Sequence, residues 1–358
     1  MAFTLGMILE ARERLKGVAQ RTGLVQFKAL SDEHSQIYLK TEDLQNTGSF
    51  KVRGAYIKIA SLSEEERACG VIASSAGNHA QGVAYAAHRF GIPATIVMPK
   101  TAPIAKAKAT EGYGANVVLA GDCYDDAYAK ACEICEQEHA TFLHPYNDPE
   151  VIAGQGTLGL EILGDLPTAD IVIVPAGGGG LLAGVAACIK QINPRVQVIG
   201  VQAEGADAIA QSFHSHSYVQ TDSVATIADG IAVKAPGDIT VPLIQKYADD
   251  VVTVNDLEIS EAVLLLMERC KQIVEPAGAT PVAAVLKGKV DAILLTGGLA
   301  RSQYITDHIK ERVEFIAPVT IYPGQDEMKA LTENALAVLR GERQAMDYGE
   351  AANNENDL

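Results

Sequence analysis

One lysine, Lys51, stands where a predicted strand gives way to a predicted helix, in the run Leu44-Gln-Asn-Thr-Gly-Ser-Phe-Lys-Val-Arg-Gly54. A lysine held out of bulk water has its ammonium form disfavoured, so its amine becomes available for Schiff-base chemistry. A solvated lysine at the start of a helix would explain this segment equally well. Other parts of the chain must therefore decide between a reactive amine and an ordinary one.

Four consecutive glycines lie between an apolar strand-like run, Asp170 to Pro175, and a helical pattern. Residues without side chains let backbone N–H groups converge on an anion, and the helix N-terminus adds the positive end of its dipole. A phosphate is the natural ligand, because packing a strand against a helix needs fewer glycines. Neither the spacing GxGxxG nor a following Gly-Lys-Ser/Thr is present, which argues against a dinucleotide fold and a P-loop. The glycines are Gly177, Gly178, Gly179 and Gly180.

A third turn, residues 75–79, follows the strand-like pair Val71-Ile72 and precedes another helical pattern. Its backbone amides, with Ser75 and Asn78, could hold a carboxylate. His79 is more simply explained as a buried or capping imidazole than as a catalytic one. A reactive lysine, a glycine loop for phosphate and a turn for a carboxylate are together what a pyridoxal phosphate enzyme acting on an amino acid requires.

Composition narrows the class of protein. The chain has 358 residues, about half of them apolar, and a net charge of −16. That charge argues against nucleic acid, because phosphate backbones need clustered Lys and Arg. No stretch of about 18 uncharged apolar residues occurs, and the first residues lack a signal-peptide pattern. We therefore expect a cytoplasmic protein that acts on a small molecule and binds no membrane.

Cysteines are spread through predicted helix and loop, which fits reduced thiols. The pair Cys132 and Cys135 has CxxC spacing, but it sits in the predicted helix 125–139 and no second CxxC or CxxH occurs. We therefore interpret these two as ordinary helix cysteines and expect no metal site. The six cysteines are Cys69, Cys123, Cys132, Cys135, Cys188 and Cys270.

Short Val/Ile-rich runs alternate with helical patterns, as expected for strands buried on both faces of parallel sheets. The predicted class is α/β, with parallel-rich sheets flanked by helices in two lobes and a cofactor cleft between them. We expect residues 1–50 and 151–300 to form the larger, cofactor-binding lobe and residues 51–150 the smaller, substrate lobe. The strand-like runs begin at Gly70, Ala94, Ala115, Asp170 and Gln197.

Six ordered runs between residues 5 and about 285 resemble the threonine and serine dehydratases of the tryptophan-synthase-β-like family, fold type II of the pyridoxal phosphate enzymes. The runs are Thr47-Gly-Ser-Phe-Lys-Val-Arg-Gly-Ala55, Ser75-Ala-Gly-Asn-His-Ala-Gln81, Ile152-Ala-Gly-Gln-Gly-Thr157, Gly177-Gly-Gly-Gly-Leu181, Ile227-Ala-Asp-Gly230 and Val274-Glu-Pro-Ala-Gly278.

This resemblance implies β-elimination, in which L-threonine or L-serine gives a 2-oxo acid and ammonia. Lys51 would hold pyridoxal 5'-phosphate as a Schiff base and, once freed by substrate, take the Cα proton. Ser75 is the second implied catalytic residue and would bind the substrate carboxylate together with Ala76, Gly77, Asn78 and His79. The implied cofactor-binding residues are Phe50 beside the ring, Asn78 at its 3-hydroxyl, Gly177 to Gly180 at the phosphate, and Gly230 and Glu275 around the ring.

Two departures from relatives bear on the activity. Serine racemases of the family carry a serine where this chain has Ala76, so a lysine working one face of Cα suits elimination better than racemisation. Some relatives bind a divalent ion through carboxylates at positions that correspond here to Gln202, Ala206 and Ala208. The resemblance therefore favours a lyase without that metal site, with racemisation as an alternative.

The last part of the chain resembles a different family. From about residue 284 to 348 the sequence is similar to the carboxyl end of butyrate and acetate kinases, so we interpret the chain as a hybrid. Thr296 would then supply the hydroxyl that fold type II enzymes place at the pyridine nitrogen. The matching runs are Thr296-Gly-Gly-Leu-Ala-Arg-Ser302, Val313-Glu-Phe-Ile-Ala-Pro318, Tyr322-Pro-Gly-Gln-Asp-Glu-Met328 and the predicted helix 330–340.

Further expectations concern the ends of the chain and its assembly. Residues 300–346 would form an extension of helix and strand, and the acidic, Asn-rich residues 347–358 a disordered tail. The dehydratase resemblance implies a homodimer or homotetramer. An impaired, cofactor-binding hybrid stays an alternative, whereas an acyl kinase would need nucleotide-binding halves that the first two thirds of the chain lack.

Overall fold

The structure is a computed structural model that describes residues 3–32 and 35–288, together with the backbone of residues 293–296 and 319–322. It divides into two compact units, Met1–Leu286 and Lys287–Leu358. The predicted extension 300–346 lies outside the described residues except for the backbone of 319–322, and the predicted tail 347–358 lies wholly outside them. None of the helices within the described ranges is both long and apolar enough to cross a membrane.

Helices and strands alternate along the first unit. The helices are α1 Leu5–Arg14, α2 Lys51–Ser61, α3 Glu64–Cys69, α4 Asn78–Phe90, α5 Ile104–Gly112, α6 Tyr124–Glu138, α7 Pro149–Asp165, α8 Gly180–Ile192, α9 Ala208–His214, α10 Thr240–Tyr247, α11 Asp256–Leu265 and α12 Pro276–Leu286. The strands are β1 Leu24–Gln26, β2 Tyr38–Lys40, β3 Val71–Ser74, β4 Ala94–Met98, β5 Asn116–Leu119, β6 Thr141–Phe142, β7 Ile171–Pro175, β8 Gln197–Ala203, β9 Asp250–Val254, β10 Ile293–Thr296 and β11 Val319–Tyr322.

A four-stranded parallel sheet in the order β5-β4-β3-β6 carries the serine turn, our name for residues 75–79, at the end of β3. Its two central strands, β3 and β4, are buried on both faces, because side chains alternate between two helix layers. Ile96 and Met98 pack with α4, whereas Ile72 and Val97 pack against α6. The Val/Ile runs in the sequence reflect this double burial.

A three-stranded parallel sheet in the order β7-β8-β9 carries the glycine loop, our name for residues 177–180. Val198 in its central strand packs with Leu182 and Ile189 of α8 on one face. Val201 packs on the other face with Ala279 and Ala283 of α12. The α/β class with parallel sheets flanked by helices is therefore confirmed.

Local chemistry fixes where several helices begin. The Asp148 carboxylate accepts hydrogen bonds from the backbone N–H groups of Glu150 and Val151, and Pro149 occupies the first position of α7. Both features favour a helix start, since the first turn of a helix has N–H groups without partners inside the helix. This cap matters for the site because α7 follows the loop that contacts Lys51.

Two features differ from the sequence interpretation. Lys51 is preceded by a short 3-10 helix, Glu42–Leu44, and a turn rather than directly by a strand. The antiparallel pair β1 and β2 was not predicted, because each strand has only three residues and shows no long apolar run.

In the second unit, β10 and β11 are parallel neighbours.

Candidate active site

A cavity of about 1120 Å³ lies between the two sheets. It collects the turns that follow β3 and β7, as expected where the carboxyl ends of parallel strands face a cleft. The predicted site residues that line it are Phe50, Lys51, Ser75, Ala76, Gly77, Asn78, His79, Gly177, Gly178, Gly179, Gly180, Gly230 and Glu275. Thr296 ends strand β10, and its side chain lies outside the described residues.

Lys51 is the first residue of α2, and its amine lies within the cavity wall. Its Nζ atom donates a hydrogen bond to the carbonyl oxygen of Pro145 at 2.9 Å and lies 5.5 Å from the centre of the Phe50 ring. Burial lowers the pKa of Lys51 to about 8, and the Glu275 carboxylate opposes that shift. The amine is therefore far easier to deprotonate than an ordinary lysine, as Schiff-base chemistry requires.

Three glycines bring neighbouring helices against the first turn of α2. A Cβ on Gly82 of α4 would lie 3.0 Å from the Lys51 carbonyl carbon. A Cβ on Gly154 of α7 would lie 2.7 Å from Cα of Gly54, and one on Gly54 would lie 2.8 Å from the Val151 carbonyl oxygen. The backbone that carries Lys51 is thus held between α4 and α7, tightly against Gly82 of α4 and at distances from α7 that only glycine permits.

The glycine loop leads into α8, and Gly179 caps that helix with φ +95°, a left-handed conformation that favours glycine. The first N–H groups of α8 have no partner within the helix and are free to bind an anion. A Cβ on Gly179 would also meet Thr240, and one on Gly178 or Gly180 would meet Tyr146. The sequence interpretation assigned all four glycines to anion binding, but close packing requires three of them as well.

The serine turn is held by its own hydrogen bonds. The Ser75 N–H donates to the Val97 carbonyl at 3.2 Å, and the Ser75 hydroxyl accepts from the Gly77 N–H at 3.2 Å. The N–H groups that follow open helix α4. The turn therefore presents a short series of helix N-terminal amides to the cavity, which suits a carboxylate.

The environment of His79 does not suit a catalytic residue. Its Nε2 atom lies 2.9 Å from the Leu143 carbonyl oxygen, and burial, with the nearby charge of Lys51, lowers the pKa of His79 to about 3. The imidazole is neutral at physiological pH, and its Nε2 donates to that carbonyl. The structure thus matches the interpretation of His79 as a satisfied, buried histidine.

Asn78 and Glu275 meet across the cavity. The Asn78 amide donates to Glu275 Oε1 at 2.7 Å, whereas the sequence interpretation directed it to a cofactor hydroxyl. Burial raises the pKa of Glu275, and the Asn78 hydrogen bond acts against that rise. Gly230 leaves room beside this carboxylate, since a Cβ there would lie 3.2 Å from Glu275 Oε1. These three residues form one continuous part of the cavity wall.

Residues 143–147 complete the site and were missed by the sequence analysis. Besides the Pro145 carbonyl on Lys51, the loop contributes His144, whose Nδ1 accepts from the N–H groups of Tyr146 and Asn147 at 3.3 and 2.9 Å. Burial lowers the pKa of His144 to about 4. Tyr146 covers the glycine loop and donates its hydroxyl to the Ala235 carbonyl at 2.8 Å. A turn signal, His-Pro-Tyr-Asn-Asp-Pro, was present in the sequence.

Two buried polar atoms in the cavity wall lack hydrogen-bond partners among the described residues. They are the hydroxyl oxygen of Ser74 and the amide nitrogen of Gln155. Both atoms are fully buried behind the cavity surface, although buried polar groups are normally paired. The glycine loop and the Lys51 amine, which line the cavity, fit a phosphorylated cofactor.

Gln202 occupies the first position at which some relatives of the dehydratases bind a divalent ion. Its fully buried side chain donates to the Gly177 carbonyl at 3.3 Å and accepts from the Ala210 N–H at 2.8 Å. Within the described residues, no three His, Cys, Asp or Glu side chains are grouped so as to hold a metal ion. The amide of Gln202 therefore links the glycine loop to α9 directly.

Comparisons with known proteins agree with this geometry. L-threonine ammonia-lyase of Thermotoga maritima is 54% identical over 301 residues, which are 82% of this chain and 75% of that protein. Among solved structures, a T.th. threonine deaminase has a TM-score of 0.76 at 39% identity, covering 79% of this chain and 92% of that one. Maize serine racemase has a TM-score of 0.77 at 30% identity, covering 96% and 100%. The sequence model described as pyridoxal-phosphate dependent enzyme matches residues 15–297, and the chain belongs to that family.

Proposed function

We propose that this protein is a pyridoxal 5'-phosphate-dependent ammonia-lyase that converts L-threonine to 2-oxobutanoate and ammonia, and L-serine to pyruvate and ammonia. The observation that carries the proposal is the Lys51 amine, with a pKa lowered to about 8, in the same cavity as the glycine loop and the serine turn. The relatives named for threonine ammonia-lyase and threonine deaminase support the substrate class.

The geometry of the cavity supports the proposed cofactor-binding residues. Pyridoxal 5'-phosphate, when bound, supplies an electron sink that makes loss of the Cα proton feasible. The N–H groups of residues 177–180 would bind its phosphate, and Lys51 would hold it by a Schiff base. Phe50, Asn78, Gly230 and Glu275 line the cavity and would surround the ring.

The serine turn would bind the substrate, and Lys51 would act on its Cα proton. Backbone amides of residues 75–79, with the Ser75 hydroxyl, would bind the α-carboxylate and fix the orientation of Cα. Lys51, whose pKa of about 8 makes its neutral amine accessible near physiological pH, would take the Cα proton. Since the loop 143–147 contacts the lysine through the Pro145 carbonyl, it would also help to exclude water from the amine.

A racemase is the second candidate, because maize serine racemase is a structural neighbour. Racemisation needs a proton donor on the face of Cα opposite Lys51. Ala76, the position of the second serine in racemases, has no group that could donate a proton. Elimination is therefore the favoured reaction.

The hybrid origin of the end of the chain is also a proposal. The family match ends at residue 297, and the runs that resemble butyrate and acetate kinases begin at Thr296. Under this proposal Thr296, at the end of β10, supplies the hydroxyl for the pyridine nitrogen. The alternative is a hybrid that binds the cofactor but turns substrate over poorly.

We also propose a division of the chain into lobes, an oligomeric state and a cellular compartment. The two sheets would be the cores of a larger lobe, residues 1–50 and 151–300, and a smaller lobe, residues 51–150. The protein would be a cytoplasmic homodimer or homotetramer, and six cysteines without disulfides fit a reducing compartment.

The experiment measures the Schiff base and the product separately. Adding pyridoxal phosphate should give an absorbance band at about 410–420 nm, and adding L-threonine should then give 2-oxobutanoate. Lys51→Ala should lose both. Lys58→Ala, which removes a lysine two turns along α2 that pairs with Asp148, is the matched control and should keep both. A band without keto acid would refute the lyase and leave the impaired hybrid.

A further inference from the structure

Arg53 lies two residues after Lys51 and is the centre of a buried ionic cluster. Its guanidinium, 1% exposed, binds Glu42 through Nε and Nη2 at 2.8 and 2.9 Å. It binds Glu161 through Nη1 and Nη2 at 2.7 and 3.2 Å. Further hydrogen bonds join Nη1 to the Thr157 hydroxyl at 3.2 Å and Nη2 to the Gln20 carbonyl at 3.1 Å.

The cluster has balanced charge. Lys40 binds the Glu161 carboxylate at 2.6 Å, so two cations face two carboxylates. The Glu42 carboxylate also accepts from the Thr22 hydroxyl at 2.5 Å. Removing Arg53 would leave two largely buried carboxylates short of partners, which is a heavily unfavourable state.

The position of the cluster relates it to Lys51 more than to general stability. Successive residues of a helix are about 100° apart, so the side chains of Lys51 and Arg53 leave α2 on nearly opposite sides. Arg53 ties the first turn of α2 to α7 through Glu161, to the 3-10 helix through Glu42 and to the N-terminal segment through Gln20. Buried ion pairs add little net stability, whereas their geometry can fix one arrangement.

We propose that Arg53 is a positioning residue: by locking the first turn of α2 from the side opposite the cavity, it fixes the direction in which the Lys51 amine enters the site. This inference rests on the proposed function of Lys51. A planar, five-donor guanidinium is required, because a lysine ammonium cannot bind two carboxylates in this forked geometry.

The test compares the same change, arginine to lysine, at two residues that contact opposite ends of α2. Arg53→Lys changes the first turn. Arg67→Lys is the matched control, since Arg67 donates to the Ile59 and Ala60 carbonyls at the other end of the helix, at 3.1 and 2.8 Å. Amide hydrogen exchange of residues 50–57 is measured in cofactor-free protein, and kcat and KM for L-threonine are measured in the holoenzyme.

For Arg53→Lys we expect exchange in residues 50–57 to accelerate and kcat to fall, each by at least about tenfold, with KM changed by less than about threefold. For Arg67→Lys we expect kcat within about twofold of wild type, with faster exchange confined to the end of α2. Equal losses of kcat in both variants, or normal exchange and kcat in Arg53→Lys, would overturn the inference.

A second variant covers a failure to fold. Glu161→Gln keeps the paired hydrogen bonds between Arg53 and Glu42 and removes one carboxylate. It should also lower kcat with little change in KM, by a smaller factor than Arg53→Lys. If wild type forms neither the Schiff base nor the keto acid, the proposed function fails by itself. The exchange measurement on cofactor-free protein still tests whether Arg53 fixes the first turn of α2.

Discussion

At the scale of single residues, the site depends on how Lys51 is held rather than on its presence alone. Its backbone is fixed by glycine contacts with α4 and α7, and its amine by the Pro145 carbonyl. Burial then favours the neutral amine. Position and protonation state are thus set by different neighbours, and each can be changed separately.

The pH dependence of Schiff-base formation follows from the lowered pKa of Lys51. Only the neutral amine attacks the aldehyde, so the rate should rise about tenfold per pH unit below pH 8 and level off above it. With an ordinary lysine, the rate of Schiff-base formation would keep rising until about pH 10.4. Stopped-flow absorbance after mixing cofactor-free protein with pyridoxal phosphate measures this profile. A rate that still rises steeply between about pH 8.5 and 10 would contradict the low pKa of Lys51. Free N-acetyl-lysine, measured in the same way, gives the profile of an ordinary lysine amine.

Ala76→Ser tests the argument about the two faces of Cα. A hydroxyl here could return a proton to the face opposite Lys51, so formation of D-serine from L-serine should rise by at least about tenfold while elimination persists. Chiral chromatography of the products gives both rates. Ala76→Gly removes the methyl group without adding a hydroxyl and should leave D-serine at the wild-type level. Equal D-serine from both variants would contradict the assignment.

At the scale of elements, the functional turns follow strands at the carboxyl ends of two parallel sheets. The sequence predicted the turns and the sheets well, because Val/Ile runs and clustered glycines leave clear patterns; the run Asp170 to Pro175 became β7, Ile171–Pro175. It did not predict the loop 143–147, which acts through the Pro145 carbonyl and the packing of Tyr146. Backbone carbonyls carry no residue signature, so this contact becomes visible only in three dimensions.

Gly179→Ala tests the glycine loop as an element. The left-handed backbone and the contact with Thr240 both oppose a Cβ, so the free energy of unfolding should fall by about 1–3 kcal/mol. Affinity for pyridoxal phosphate should fall by at least about tenfold. Urea unfolding and cofactor titration measure the two effects.

Gly112→Ala is the control for this substitution. Gly112 ends α5 at a place where a Cβ meets nothing within 4 Å, so the change should alter the free energy of unfolding by less than about 1 kcal/mol and leave cofactor affinity unchanged. Unchanged affinity in Gly179→Ala would mean that the glycine loop does not bind the phosphate.

At the scale of the whole molecule, the cavity belongs to the unit Met1–Leu286, whereas Thr296 belongs to the unit Lys287–Leu358. The dehydratase resemblance covers the first unit, and the sequence alone identified its family and thirteen of the residues that line its cavity. The sequence could not establish whether residues 287–358 support turnover. That depends on where one hydroxyl lies, which motifs do not specify.

The dehydratase resemblance implies Ser-Gly-Gly-Asn where this chain has Thr296-Gly-Gly-Leu299, so the double substitution Thr296→Ser with Leu299→Asn tests the second unit. We expect kcat with L-threonine to rise by about threefold or more with little change in KM, because the hydroxyl would then have the sequence context of the dehydratases. Leu299→Asn alone separates the contribution of the two positions. A kcat equal to wild type in the double variant would argue that residues 296–299 do not limit turnover.

The most direct test of the central claim identifies the lysine that holds the cofactor. The holoenzyme is reduced with borohydride, digested and mapped by mass spectrometry. We expect the pyridoxyl group on Lys51, in the peptide that contains Ser49, Phe50 and Val52, and no stable label in Lys51→Ala. A stoichiometric label on any other lysine, or L-threonine turnover at the wild-type rate in Lys51→Ala, would contradict the account.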